Sequence, residues 1–105
     1  MSNAMRILVM LNPTNKYGTK AQYTKLRDFL KSDGYLMVGQ ELFMRVTTNR
    51  KGAEKHIRRL EEYAPNTGVV RVLRLTEKQY ENMWYLTGEP DEQEKMVGNH
   101  CHIML

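Results

Sequence analysis

The chain has 105 residues, 16 Lys plus Arg against 12 Asp plus Glu, and a single cysteine. A domain this short buries about 60 to 70% of its unfolded surface, which excludes a large core together with a deep private active site, so a groove of any depth calls for a second subunit. One cysteine excludes an internal disulfide framework and fits a reducing, cytoplasmic setting, and no apolar run approaches the roughly 20 residues that cross a bilayer.

Met1 to Ala4 read as a cloning scar ahead of a natural start at Met5. Ile7 to Leu11 then form a continuous apolar run closed by Asn12 and Pro13, the pattern of a central strand covered on both faces. After the loop Thr14 to Thr19, residues Tyr23, Leu26, Phe29 and Leu30 recur at helical spacing, and Ser32, Asp33 and Gly34 supply a stop. Tyr35 to Val38 and Glu41 to Thr48 read as two short strands meeting at a bend. Asn49 caps a second helix whose apolar stripe is Ala53, Ile57, Leu60 and Ala64. Val69 to Leu75 is the next strand, Thr76 with Gln79 a capping box, and Trp84 to Leu86 a final short strand.

The order strand, helix, strand, strand, helix, strand predicts an α+β, ferredoxin-like βαββαβ sandwich, with two helices on one face of an antiparallel sheet. Met5 to Gly88 form this domain, and Glu89 to Leu105 are a C-terminal extension. The open sheet face predicts a homodimer, with the tail as a strand lent to the partner's edge. Charge divides the same way. Met1 to Gly88 carry 15 basic and 8 acidic side chains, +7, and the tail carries one Lys against four acids, −3. A basic domain of this kind points to a polyanion or to nothing beyond solubility.

Several segments carry a family resemblance: the apolar first strand ending in a short polar residue, Leu42-Phe43-Met44-Arg45, the helix Glu54 to Leu60, and above all Val70-Arg71-Val72-Leu73-Arg74-Leu75-Thr76 continuing to Met83. Together they resemble the Cas-two family of small CRISPR-associated spacer-acquisition proteins, from about Ile7 to Gly88, with the closest likeness to members from type II systems. The resemblance implies a homodimer that grips duplex DNA between copies of the CRISPR integrase. It also implies, for many members, a magnesium-dependent endonuclease acting on RNA or DNA through an Asp at the end of the first strand. The matching residue here is Asn12. A carboxamide brings one neutral oxygen where magnesium favours anionic ones, and Pro13, Thr14, Asn15 and Lys16 restore no carboxylate.

The nucleic-acid candidates are Lys16 and Lys20 at the start of the first helix, Arg45 at the end of the hairpin strand, and Arg50, Lys51, Lys55, Arg58 and Arg59 on the second helix. Lys51, Lys55, Arg58 and Arg59 share the face opposite the apolar stripe and can neutralise successive phosphates, or serve as an ordinary solvated surface. Arg71 and Arg74, three apart on a strand, point to opposite faces. On an extended tail His100 and His102 would share a face with Cys101 opposed, an incomplete metal site. Three readings follow: a structural CRISPR adaptation protein, a magnesium-dependent nuclease, and an unrelated ferredoxin-like interaction module.

Overall fold

Strand β1, Met5–Asn12, is almost wholly buried and lies at the centre of a four-stranded sheet, as its unbroken apolar run predicts. The computed structural model describes residues 3–14 and 19–103, with residues 98–103 by backbone alone. In chain order come α1 (Thr19–Ser32), β2 (Leu36–Gly39), β3 (Leu42–Thr47), α2 (Arg50–Glu61), β4 (Val69–Thr76), α3 (Glu77–Glu81) and α4 (Glu92–Ile103). The sheet order is β2-β3-β1-β4, with every neighbouring pair antiparallel. This is the ferredoxin-like arrangement. None of the described helices is long and apolar enough to cross a membrane.

The alternation of β1 sorts two cores. Met5, Ile7, Val9 and Leu11 face the helices and pack with Tyr23, Leu26 and Leu30 of α1, Phe43 of β3, and Ala53 and Leu60 of α2. Each fully buried large side chain there, such as Phe43 or Ile7, contributes about 1.5–3 kcal/mol. On the other face Leu8 packs with Met44 and Tyr80, joined by Val38, Leu42, Val46, Leu75 and Val97. That second face, expected to be open, is therefore partly covered by α3 and α4 of the same chain.

Local signals fix the helix ends. Asn49 accepts the Gly52 N–H at 2.8 Å to start α2. Thr76 and Gln79 form the expected capping box, with bonds of 3.1 and 2.9 Å. At the end of α1 the Tyr35 N–H reaches the Leu30 carbonyl at 2.9 Å, around Gly34 at φ +89°.

Two expectations are corrected. Trp84 to Leu86 form no strand: α3 carries the chain away from the β4 edge, so β-prone residues find no ladder, and Trp84 is 86% and Leu86 92% exposed. The tail is helical rather than extended. Asp91 accepts the Glu94 N–H at 2.8 Å as a cap, Glu92 and Glu94 sit in the first turn where the dipole favours anions, and the good helix formers Lys95 and Met96 follow. Ala4, grouped with the scar, takes part in the fold: it is 7% exposed and its carbonyl accepts the Glu77 N–H at 3.3 Å.

Two buried polar atoms are left unpaired among the described residues, Arg45 Nε and the Tyr35 hydroxyl. The Tyr35 hydroxyl has no hydrogen-bond partner among the described residues, although the residue is only 3% exposed. Burial, and secondarily the Asp33 carboxylate, push it up to about 12. The unfolded chain releases this proton from about pH 10. This contribution is thus fully present below about pH 10 and is lost as pH rises from there through the folded value. Tyr35→Phe is expected to stabilise the protein by roughly 1 kcal/mol at neutral pH, because it deletes an unsatisfied hydroxyl and keeps the ring. It should also flatten the loss of stability above about pH 10. Urea denaturation of both proteins at pH 7 and pH 11 checks this, and a destabilised Phe variant would contradict it.

Candidate nucleic-acid interface

Helix α2 presents its charges as its spacing dictates. Ala53 and Leu60 are buried and Ile57 half-buried against the sheet, while Lys51, Lys55 and Arg58 are exposed on the opposite side. These three, and Arg50 beside them, form no ion pair with any described residue. Glu54, the acid of that stretch, is occupied at 3.2 Å by Arg74 from β4. A shallow cleft of about 510 Å³, lined by Ala4, Met5, Asn49, Arg50, Lys51 and Thr76, opens at the start of the same helix. The result is a row of uncompensated cations on a rigid element, a surface that attracts polyanions without reading bases.

The other candidates are scattered. Arg59 leaves the row and pairs with Asp33 at 2.9 Å. Arg45 lies on the helix side of β3, opposite Ile7, with its Nε buried and unpaired. Lys20 is exposed in the first turn of α1, and Lys16 lies outside the described residues. Arg71 shares the second sheet face with Leu73, and Arg74 the helix face, as their spacing requires. The side chains of His100, Cys101 and His102 are outside the described residues as well.

Asn12 ends β1, exposed, paired in register with Val69. Gly68, at φ +80°, lets the start of β4 approach: a Cβ there would stand 2.8 Å from the Asn12 carbonyl oxygen. The side chain has no hydrogen bond among the described residues. One carboxylate that chain order did not suggest comes near through the fold. The Glu41 carbonyl accepts the Leu11 N–H at 2.9 Å, but its side chain turns to Arg27 with bonds of 2.8 and 2.6 Å. That guanidinium holds the Glu41 carboxyl below its usual range, so it is committed to a cation already. No group of three His, Cys, Asp or Glu with metal-binding geometry occurs among the described residues. A neutral amide and a sequestered carboxylate do not fit magnesium.

A family model for CRISPR associated protein Cas2 matches residues 11–83. This chain belongs to the Cas2 family. Curated relatives named CRISPR-associated endoribonuclease Cas2 include one from Acidovorax ebreus, 40% identical over 96% of this chain and 99% of its own. One from Ligilactobacillus salivarius is 36% identical over 81% and 85%, and one from Streptococcus mutans 35% identical over 83% and 81%. Membership of the Cas2 family gives the chain a CRISPR role. The family match spans β1's end, the hairpin, α2 and β4, and therefore includes both Asn12 and the cationic row.

Proposed function

We propose that this protein is a structural, non-catalytic homodimer of CRISPR adaptation that holds duplex DNA by its phosphates and presents it to the CRISPR integrase. The observation that carries this reading is the uncompensated row Lys51, Lys55 and Arg58 on α2, with Arg50 at its start. Dimerisation is supported by the edge strand β4, which pairs on one side only among the described residues and carries Val69, Val72 and Leu73 as exposed apolar side chains. Asn12 argues against hydrolysis, because without a bound cation little here activates water or stabilises the charge of a phosphoryl transition state. A second reading, endonuclease activity, is favoured by the names of the relatives.

The two readings separate in one set of measurements. The wild-type protein should retain a fragment-length duplex in a strongly salt-dependent manner, co-purify with the integrase on it, and leave both RNA and DNA uncut in magnesium. Robust magnesium-dependent cleavage that disappears with Asn12→Ala would establish the nuclease and refute the non-catalytic reading. Asn12→Asp is expected to create a carboxylate on an exposed strand end at little cost to folding, so any cleavage it gains measures what the amide withholds. The third reading, an unrelated ferredoxin-like interaction module, is overturned by the family match over residues 11–83.

A further inference from the structure

We propose that the corner where α1 runs into β2 is an oxyanion seat, in which the Arg45 guanidinium, seconded by Arg59, takes one phosphate-class group from outside the chain. Among the described residues Arg45 is the one part-buried arginine without a carboxylate. Arg6 has Glu77 and Arg27 has Glu41. Asp33, the acid of this corner, is already taken by His56 Nδ1 at 2.8 Å and Arg59 at 2.9 Å, and its own side chain is 6% exposed. A partly desolvated cation with no counter-ion is unfavourable unless an external anion completes it.

The geometry also prepares Arg45 for that role. Its guanidinium lies against the backbone of Gly34, where any Cβ would overlap it, and its Nε is buried without a partner. The stem is thus fixed before a ligand arrives, which removes much of the rotamer entropy an exposed arginine loses on binding. Its planar fork suits two oxygens of one phosphate. Arg45 and Arg59 both act electrostatically on the Tyr35 hydroxyl, and Arg59 pairs with Asp33, the residue next to the Gly34 that Arg45 lies against. The Asp33 carboxylate opposes an incoming anion, and Arg59 offsets it. Because Arg59 is about half exposed, it is free to serve both. Arg59 adjoins Arg58 on α2, so the seat continues the exposed cationic row.

The seat deepens the duplex reading and rests on it for the identity of the group as a backbone diester; free phosphate shares the chemistry. The test is a nitrogen-15 titration of the full chain, following the Arg45 Nε–H and Gly34 amide signals, first with inorganic phosphate and then with a fragment-length duplex. Both signals should shift on titration with either probe. Arg45→Gln should abolish the phosphate response, weaken duplex binding about five- to tenfold and lower the log–log salt slope by about 1. Arg45→Lys should recover only part of it, since an ammonium lacks the fork. If neither probe moves the two signals while the wild type still binds duplex, the seat is wrong and the duplex reading stands. If phosphate moves them and no duplex binds, the seat stands as a free-phosphate site and the duplex reading fails. Should Arg45→Gln lose its fold, the wild-type titration alone decides.

Discussion

Replacing Glu77 by alanine is expected to destabilise the domain by about 3–5 kcal/mol, the range found when one partner of a buried ion pair is removed. Arg6 rises from β1 on the sheet face away from α1 and α2, and its Nε and Nη2 donate to the two oxygens of Glu77 at 2.9 and 2.5 Å. Both residues are buried, and the Arg6 guanidinium also lies 4.0 Å from the centre of the Tyr80 ring. Alanine at 77 leaves that cation in a dry site facing a cavity. Total stability for a chain of this size is about 5–15 kcal/mol, so the loss is a large fraction of it and should lower the melting temperature by roughly 15 °C or more. The pair itself need not stabilise the fold, since replacing both partners by apolar residues of similar volume is often neutral. Arg6→Met combined with Glu77→Leu is therefore expected to recover most of what Glu77→Ala loses. Thermal and urea unfolding of the single and double variants measure this directly. A single variant within about 1 kcal/mol of wild type would mean that water or a shifted Arg6 compensates the charge.

The same pair shows where sequence patterns run out. The apolar run of β1, the Asn49 cap, the capping box at Thr76 and the stripe of α2 as far as Leu60 are short-range signals that reappear where their spacing puts them, whereas Ala64, expected on the same stripe, is exposed beyond the helix end at Glu61. Arg6 and Glu77 are 71 residues apart, and no periodicity joins them. Asp33, His56 and Arg59 likewise come from just past the end of one helix and from the middle and last turn of another. Glu41 reaches Arg27 only because the hairpin folds back under α1. The error at Trp84 to Leu86 has a different origin: propensity predicts a strand, but a strand also needs a neighbouring edge, and α3 has already taken the chain elsewhere. For α4 the start signals are local, Asp91 as cap with Glu92 and Glu94 in the first turn, but the segment lacks a clear helical periodicity, so the pattern does not distinguish it from an extended tail. Of the basic candidates, spacing alone identified the row on α2. It could not say that Arg59 would be drawn aside by Asp33.

That difference makes Lys51, Lys55 and Arg58 the decisive set for duplex binding. Changing all three to glutamine is expected to lower the slope of log affinity against log salt by about 3 for each protomer engaged, since each neutralised phosphate contributes about 0.9. Affinity near physiological salt should fall on the order of a hundredfold. The fold should be indifferent. All three side chains are exposed, they form no ion pair with described residues, the buried stripe of Ala53, Ile57 and Leu60 is untouched, and glutamine is nearly as good a helix former as lysine. Lys95→Gln, on the acidic tail beside Glu89, is a control that removes one positive charge without touching the row. Binding isotherms across a salt series give slope and affinity together, and this matters because the two fail differently. If affinity drops while the slope stays at the wild-type value, the three cations act through conformation and not through phosphate contacts. If neither moves, the duplex lies elsewhere on the domain, and α2 is a solvated helix whose charge keeps the protein soluble.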